Sequence, residues 1–252
     1  MTTYTKRNTT PHQDSLIREA EGLHLLTAEL TRAGVGDDVH VPEIKSVSHD
    51  ALQMTAVERK RARPEDMARL GRGLASLHRL EQVEYGLDRD NYIGLSPQKN
   101  GFTPEWGRFF ADNRLGFQID RITNPEIRRR FTQVLTKKRE TLIEFLNVHC
   151  EHPSLVHGDL WAGNALFDAS GPWLIDPAVY YGDRETDLAM TELFGGFGAE
   201  FYDAYDQVYT RSAVYEQKKP LYNFYHYLNH YNLFGCGYLS GCEQGAEALL
   251  AL

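Results

Sequence analysis

Three side chains that carry oxygen atoms lie in one short stretch of the sequence, between Val156 and Asp187. Asp159 comes first, Asn164 follows it, and Asp176 comes last, with apolar segments between them. A phosphoryl group that moves from ATP to a hydroxyl needs a carboxylate to orient the acceptor, and it needs Mg²⁺ held against the phosphates by oxygen ligands. The stretch therefore predicts a phosphoryl-transfer site. In it, Asp159 orients or deprotonates the acceptor hydroxyl, and Asn164 and Asp176 bind the metal.

A β-hairpin would bring these groups together. The segments 165–167 and 173–175 are short and apolar, and 168–172 between them contains turn-forming residues. The hairpin would place Asn164 at one end and Asp176 at the other, facing a common ion. Protein kinases use the same order, with an Asp, an Asn five residues later and a second Asp beyond a short hairpin. Either part alone is common in turns and strand ends, but the combination favours a kinase-type site.

Longer blocks of sequence are more restrictive than this triad. The chain contains HGDLWAGNALF from His157 and LIDPAVYYGDRETDLAMTELFGGF from Leu174. Further blocks are TYTKRN near the start, REAEGL at 18–23, LGRGLASLH at 70–78, NYIGLSPQKN at 91–100, EWGRFFADNRLGFQ from Glu105 and LNHYNLFGCGY near the end. On these blocks, which extend over nearly the whole chain, the sequence resembles the fructosamine kinase, or ketosamine-3-kinase, family. That family is related to the aminoglycoside phosphotransferases.

The resemblance implies an α+β, protein-kinase-like fold with two lobes. Residues 1–58 would form a shortened N-terminal sheet lobe that binds nucleotide, and residues 59–252 a mainly helical C-terminal lobe with the catalytic and substrate sites. The implied activity is ATP-dependent phosphorylation of a sugar hydroxyl on a ketosamine, which is a sugar joined to an amine. ATP and Mg²⁺ are the implied cofactors, and the partner is a glycated amine, either a small molecule or protein-bound. In the family the phosphate destabilises the adduct, so the expected role is deglycation.

The resemblance also assigns residues to the nucleotide site. Lys6, on the first strand, matches the family's Lys that contacts the α and β phosphates of ATP. Glu19, on the following helix, matches the carboxylate that pairs with this Lys. Thr55, Ala56 and Val57 match the hinge between the lobes, where backbone groups meet adenine.

A second set of residues is expected at the acceptor pocket. By resemblance these are Trp161, Tyr181, Arg184 and Glu185. Arg184 is equally suited to lock Glu185 or Asp187 in place. Asp187 itself is expected to cap a helix or to anchor the backbone of the loop that carries Asp159.

The start of the chain departs from the family pattern. A kinase-like small lobe begins with two strands joined by a Gly-rich loop over the phosphates, whereas this chain begins where the third strand is expected. No Gly precedes Lys6. Three explanations stay open: a misassigned start or a truncation, a divergent active kinase that relies on its large lobe, or a catalytically weak relative. Missing strands would expose a sheet edge, which offers a second copy of the chain a surface for a homo-oligomer.

The hydrophobic pattern predicts the elements around the site. We expect a strand over about 2–8, a helix over about 14–33 that begins at Asp14 or Ser15, and strands over 39–47 and 51–54. We also expect helices over about 64–80 and 125–147, and two more between 201 and 238. The aromatic run Trp106, Phe109, Phe110 and Phe117 is predicted to be core. His78 is predicted to be a packing or capping residue.

Composition narrows the class of protein. The chain has 252 residues, 42% of them hydrophobic, which is enough to bury one sizeable core or a small lobe attached to a larger one. It contains no apolar run of membrane-spanning length and no signal-peptide region, so we expect a soluble, cytoplasmic protein. The three cysteines show no CxxC spacing, which argues against a disulfide framework or a thiolate zinc site. The net charge of −8 argues against a nucleic-acid surface.

Two rival functions stay open. One is an aminoglycoside or other small-metabolite phosphotransferase on the same fold, against which Trp161 and the YYGDRE block favour a ketosamine acceptor. The other is a catalytically weak, kinase-like binding protein. The complete set of kinase residues argues against it, because a chain without catalysis has no chemical need for all of them.

Overall fold

A three-stranded antiparallel sheet forms the N-terminal part of the structure. The computed structural model describes residues 2–252. The strands are β1 (Thr3–Arg7), β2 (Ile44–Val47) and β3 (Ala51–Thr55), in the order β1-β3-β2. Lys6 lies opposite Leu52 in the register of β1 and β3. Since β3 is central, β1 is an edge strand within the described residues, and its side chains are mostly exposed.

Helix α1 (Ser15–Arg32) packs across this sheet and reaches beyond it. Its first half and β3 form a small core of Leu16, Ala20, Leu23, Leu52 and Met54. Its second half contributes Leu26 and Leu30 to a larger core that includes leucines of α2 (Pro64–His78). These leucines recur at helical spacing on one face, as the sequence predicts. Because both halves of α1 are packed, Glu19 is held firmly near the sheet.

The rest of the chain is mainly helical. The remaining helices are α3 (Trp106–Phe109), a π-helical segment (Phe110–Gly116), α4 (Phe117–Asp120), α5 (Pro125–His149), α6 (Glu185–Leu193), α7 (Ala199–Val208), α8 (Tyr215–Phe234) and α9 (Leu239–Ala251). A short 3₁₀ turn (Cys236–Tyr238) precedes α9. The short strands are β4 (Asn91–Ile93), β5 (Ser96–Gln98), β6 (Ser154–Val156), β7 (Ala165–Phe167), β8 (Pro172–Leu174) and β9 (Tyr180–Gly182). They pair antiparallel as β4 with β5, β6 with β9, and β7 with β8.

The aromatic run is core, as predicted, for three of its four members. Trp106, Phe109 and Phe110 are each 1% exposed, whereas Phe117 is only partly buried. The indole N–H of Trp106 donates to the hydroxyl of Tyr222 at 3.1 Å, which ties α3 to α8. These aromatic rings belong to the hydrophobic core of the helical part, and β9 packs against them through Tyr180.

Two predictions about the elements are corrected. The segment 39–47 is not one strand, because only Ile44–Val47 joins the N-terminal sheet. His40 instead exchanges backbone hydrogen bonds of 2.9 Å with Pro172 and Leu174 on either side of Trp173 in β8. The two helices expected near the C-terminus are present as α7 and α8, but the chain ends in a third helix, α9, that the hydrophobic pattern did not predict.

The α+β architecture, with its sheet at the N-terminal end and helices elsewhere, agrees with the predicted fold class. A boundary between lobes at residue 58 stays a prediction, since α1 packs against both parts. All three cysteines are free thiols. Within residues 2–252 no helix is both long enough and apolar enough to cross a bilayer.

Candidate active site

The predicted hairpin is present and places Asn164 and Asp176 next to each other. Strands β7 and β8 pair in register, with Ala165 opposite Leu174. The backbone N–H of Ile175 donates to the carbonyl of Asn164 at 3.1 Å and so extends the ladder by one rung. Asp176 then turns into a left-handed conformation, with φ of 52°. Such backbone is rare outside glycine and is often found at functional sites, and here it turns the chain sharply where the strand ends.

The loop from His157 to Asn164, called the HGD loop below, is anchored from beneath by Asp187. The two carboxylate oxygens of Asp187 accept hydrogen bonds from the backbone N–H groups of His157 at 2.7 Å and Gly158 at 2.9 Å. The imidazole of His78 lies 3.3 Å from the same carboxylate. The sequence predicted this anchoring role for Asp187 and a packing role for His78, and both predictions agree with the contacts.

His157 also holds the HGD loop in place, through contacts of both its ring nitrogens. One ring nitrogen lies 2.9 Å from the carbonyl of Ile175, and the other accepts from the backbone N–H of Asp159 at 3.3 Å. The HGD loop is thereby attached to the strand end that precedes Asp176. The positions of Asp159 and Asp176 are coupled through this one buried side chain.

Asp159 is a half-buried carboxylate that lies beside the side-chain amide of Asn164. The side-chain amide of Asn164 donates to the backbone carbonyl of Asp159 at 2.8 Å and approaches its carboxylate at 3.3 Å. Burial raises the pKa of Asp159 to about 7, against a lowering by the Asn164 hydrogen bond. A carboxylate with a pKa near neutrality is well suited to accept a proton from an acceptor hydroxyl.

Lys6, Glu19 and Asp176 form a charged group above the hairpin. The ammonium of Lys6 lies 2.8 Å from a carboxylate oxygen of Glu19 and 3.0 Å from one of Asp176. Burial alone lowers the pKa of Lys6, but the two carboxylates outweigh it and raise the pKa above its ordinary value. Lys6 is therefore held as a fixed positive charge beside Asp176, at a place where phosphate oxygens could be bound.

Two cavities meet at this charged group. The first, of about 350 Å³, is lined on one side by Met54, Thr55, Ala56 and Val57, and we call it the hinge cavity. The second, of about 290 Å³, contains Asp159, Trp161 and Asn164 in its wall, and we call it the loop cavity. Lys6 and Asp176 are the two residues that line both cavities. A nucleotide in one cavity and an acceptor in the other would thus come together at Lys6 and Asp176.

The predicted hinge residues lie in the wall of the hinge cavity, and their contact with a nucleotide base stays a prediction. Thr55, Ala56 and Val57 line the hinge cavity opposite Leu166 and Ile175 of the hairpin region. The backbone N–H of Ala56 already donates to the carbonyl of Thr2 at 2.9 Å. The hydroxyl of Thr55 is buried without a hydrogen-bond partner among the described residues. The apolar hairpin face on the other side matches the flat, apolar surface of a base.

Trp161 lies in the wall of the loop cavity. Its side chain is 41% exposed, an unusual exposure for a tryptophan, and it borders the loop cavity. The indole covers Gly163 so closely that a Cβ there would lie 2.2 Å from the ring. Its role as an acceptor-pocket residue stays a prediction, which this placement supports.

The other three residues expected at the acceptor pocket lie elsewhere. Arg184 is buried and donates to the carbonyl of Thr210 at 2.7 Å, and its guanidinium stacks on Tyr209. Glu185 is buried, accepts from the backbone N–H of Ser212 and pairs with Lys218. Tyr181 pairs with Leu155 across β6 and β9 and does not line the loop cavity. The expectation of an acceptor-pocket role is corrected, because these residues tie β9 and α6 to neighbouring elements. The alternative role of Arg184 agrees with the structure, since its guanidinium lies 3.9 Å from the carboxylate of Glu185.

Sequence reasoning missed part of the wall of the loop cavity. The hairpin of β4 and β5 contributes Tyr92 and Leu95, and the segment before α1 contributes Thr9 and Thr10. The hydroxyl of Tyr92 donates to Asp14 at 2.6 Å, which joins these two parts of the wall. The NYIGLSPQKN block contributes to the family resemblance, but nothing in its residue types predicts this contact.

The donor set fits a magnesium ion. The amide of Asn164 is turned so that its nitrogen faces Asp159, and its oxygen accepts no hydrogen bond from residues 2–252. Asp176 is 43% exposed at its side chain and faces the cavities. Mg²⁺ at nucleotide sites is held by one or two protein side chains and takes its other ligands from phosphates and water. The described residues contain no group of three or more His, Cys, Asp or Glu side chains that could hold a metal ion by themselves.

Comparison with known sequences gives one family. A family model described as fructosamine kinase matches residues 2–252. A probable ketoamine kinase of Vibrio parahaemolyticus is 41% identical over 249 residues, which cover 92% of this chain and 80% of that protein. A probable ketoamine kinase of Synechocystis is 39% identical over 240 residues, which cover 93% and 78%. A chloroplastic protein-ribulosamine 3-kinase of Arabidopsis thaliana is 42% identical over 183 residues, which cover 69% of this chain and 54% of the relative.

Solved structures give the same fold. The crystal structure of a candidate fructosamine-3-kinase from Thermobifida fusca superposes with a TM-score of 0.84 at 30% identity, covering 99% of this chain and 86% of that one. An aminoglycoside phosphotransferase in complex with gentamicin superposes with a TM-score of 0.57 at 19% identity, covering 99% and 85%. The second likeness shows the shared kinase-like fold alone.

Proposed function

The chain belongs to the fructosamine kinase family and is an ATP-dependent phosphotransferase that acts on a hydroxyl, and we propose that its acceptor is the sugar of a ketosamine. The relatives named ketoamine kinase and protein-ribulosamine 3-kinase support this acceptor class. The observation that carries the proposal is the meeting of the hinge cavity and the loop cavity at Lys6 and Asp176. The biological role that follows is deglycation, in which phosphorylation prepares the adduct for loss from the amine.

We assign the parts of the reaction to residues as follows. The base of ATP would enter the hinge cavity, and Lys6, held by Glu19, would bind its phosphates. Asn164 and Asp176 would hold Mg²⁺, which neutralises charge on the phosphate oxygens when bound. The sugar would occupy the loop cavity with a hydroxyl against Asp159.

Transfer then needs one bond to form and one to break. The acceptor oxygen attacks the γ-phosphorus, the bond from that phosphorus to the ADP oxygen breaks, and the hydroxyl proton passes to Asp159. The half-buried carboxylate of Asp159 is suited to this step, because its partial removal from water favours the protonated form. Positioning and charge would supply most of the rate enhancement, as in other phosphoryl transfers.

The test is ATP consumption with a synthetic ribulosamine and Mg²⁺. We expect turnover by the wild type, its loss when EDTA removes the metal, and a fall in kcat of about 10²- to 10⁴-fold for Asp159→Asn, as for loss of a general base. Asp168→Asn is the matched control, because Asp168 lies in the turn between β7 and β8 and accepts hydrogen bonds from Ser170 and Gly171 of that turn. Wild-type turnover by Asp159→Asn would falsify the assignment of the base. An inactive wild type would refute the acceptor class.

A further inference from the structure

A line of four buried polar side chains leads from α6 and α7 to the HGD loop. Arg184, Tyr205, His78 and Asp187 are each at most 4% exposed. The guanidinium of Arg184 lies 3.3 Å from the hydroxyl of Tyr205, and this hydroxyl lies 2.9 Å from Nδ1 of His78. Nε2 of His78 lies 3.3 Å from the carboxylate of Asp187. Each member contacts the next, and the last one holds the backbone of the loop that carries Asp159.

The chemistry of the residues fixes the direction of the hydrogen bonds in this line. Asp187 is ionised and can only accept, so the nitrogen of His78 that faces it, Nε2, must carry a proton. Burial lowers the pKa of His78, so the ring is neutral and its Nδ1 is left as an acceptor. Tyr205 must then donate to Nδ1. Its hydroxyl keeps a proton to donate, because burial raises the pKa of Tyr205.

Arg184 is the first donor of the line. A guanidinium has no acceptor, so its N–H donates to the oxygen of Tyr205 and leaves the Tyr205 proton directed at His78. Arg184 is itself fixed on its other side, since it donates to the carbonyl of Thr210 at 2.7 Å and stacks on the ring of Tyr209 at 3.6 Å. Successive hydrogen bonds strengthen one another in a buried network. The donors at Arg184 and Tyr205 thus strengthen the hold of His78 on the carboxylate that anchors the HGD loop.

We propose that Tyr205 and Arg184 are positioning residues for phosphoryl transfer. They act on Asp159 at a distance, through His78 and Asp187. This role presupposes that Asp159 is the base, as in the proposed function. A carboxylate that loses its line of donors is less firmly oriented, and the two backbone N–H groups that it holds directly precede Asp159 in the chain. Neither Tyr205 nor Arg184 lines the loop cavity or the hinge cavity, so substrate binding should not depend on them.

The first test is the tautomer of His78, which is measured without substrate. Long-range proton–nitrogen NMR spectra of protein with isotope-labelled histidine distinguish protonated from unprotonated ring nitrogens, and His78→Gln identifies the signals of His78 by their loss. We expect a proton on Nε2 and a hydrogen-bonded, unprotonated Nδ1. In Tyr205→Phe the Nδ1 signal should move to that of a free acceptor. A proton on Nδ1 in the wild type, or an unchanged Nδ1 signal in Tyr205→Phe, would overturn the inference.

The second test is turnover of the synthetic ribulosamine. Tyr205→Phe should lower kcat about ten-fold and leave KM for ATP and for the ribulosamine unchanged, as for other partners that orient a histidine. The same change should lower kcat no further in a His78→Gln background, because Tyr205 acts through that ring. The matched control is Tyr202→Phe, which removes another hydroxyl of α7, one that is hydrogen-bonded to Thr191 at 3.1 Å. It should leave kcat unchanged.

Two variants of Arg184 separate its hydrogen bond from its packing. Arg184→Lys keeps a donor for Tyr205 and should retain kcat near the wild-type value, whereas Arg184→Met should lower kcat as Tyr205→Phe does. Equal kcat for these two variants would overturn the role of Arg184. A fall in kcat for Tyr205→Phe that persists in the His78→Gln background, or an equal fall for Tyr202→Phe, would overturn that of Tyr205. An inactive wild type would refute the acceptor class alone, because the tautomer of His78 is measured without it.

Discussion

At the scale of single residues, Asp187 satisfies three donors with one buried carboxylate. It accepts from the backbone N–H groups of His157 and Gly158, and it contacts the ring of His78. Burial alone would raise the pKa of Asp187, but the hydrogen bonds from His78 and from the backbone of Gly158 outweigh it and lower the pKa. The carboxylate is therefore ionised in the folded protein. It holds the HGD loop in place through direct hydrogen bonds to the loop backbone.

We predict that Asp187→Asn lowers the free energy of unfolding by about 2 kcal/mol. The side-chain NH₂ of the asparagine would replace one of the two accepting oxygens, so one buried backbone N–H group would have no acceptor. The same change should lower kcat, because the backbone that positions Asp159 loses an anchor. Urea unfolding and steady-state kinetics measure the two effects. Asp203→Asn on the exposed side of α7 is the control and should change neither. Loss of stability without loss of kcat would contradict the positioning role.

The sequence predicted the residues of the HGD loop and hairpin because their chemistry and spacing are local. Asp159, Asn164 and Asp176 lie within one hairpin and its approach, so no long-range contact is needed to bring them together. Arg184 and Glu185 were misplaced for the opposite reason. Their partners, Ser212, Thr210 and Lys218, lie more than twenty residues away and carry no local signal.

At the scale of elements, the approach of the HGD loop to the segment between β8 and β9 depends on one glycine. Gly158 has φ of 81°, and a Cβ at this position would lie 2.1 Å from the carbonyl oxygen of Ala178. That carbonyl is backbone and cannot rotate away, since Ala178 is itself hydrogen-bonded to His157 at 2.8 Å. Gly34, at the end of α1, also has a positive φ, of 73°, but a Cβ there would have no atom within 4 Å.

Substitutions at Gly34 and Gly158 separate the energetic cost of backbone strain from that of steric overlap. We predict that Gly34→Ala lowers the free energy of unfolding by about 1 kcal/mol, because alanine is strained in the left-handed conformation. Gly158→Ala should cost about 3 kcal/mol or more, because overlap with backbone adds to the strain. Chemical denaturation of both variants measures the difference. Equal destabilisation would mean that the HGD loop can move away from the backbone of Ala178 without cost.

The elements that the sequence misassigned are those fixed by distant partners. Residues 39–47 have the composition of one strand, yet His40 pairs beside Trp173, about 130 residues later, while Ile44–Val47 pairs with β3. Periodicity cannot show such a change of partner. The helix α1, whose apolar residues follow one face over its full length, was predicted to within one residue at each end.

At the scale of the whole molecule, buried titratable groups around the HGD loop link stability to pH. Burial lowers the pKa of His78 and of His157, against the opposing charge of Asp187. Each is therefore neutral in the folded protein, whereas the unfolded chain binds a proton at each below pH of about 6.5. Because the folded pKa values are lowered, the stability that these groups contribute is complete above that pH and is lost as pH falls toward the folded values.

We predict that His78 and His157 each decrease the free energy of unfolding as pH falls from 7 to 5, by up to about 1.4 kcal/mol per pH unit while the histidine remains neutral. Asp159, whose folded pKa is raised to about 7, acts in the opposite direction over the same range. His78→Gln should be less stable than the wild type at pH 7, since Asp187 and Tyr205 lose a partner, but as pH falls to 5 its stability should decline relative to its own value at pH 7 by less than that of the wild type, because the contribution of His78 is gone. His24→Gln, at an exposed position of α1, should keep the wild-type slope. Urea midpoints at several pH values measure these slopes. A wild-type slope in His78→Gln would mean that other groups control the acid response, and that the core beneath the HGD loop tolerates a protonated His78.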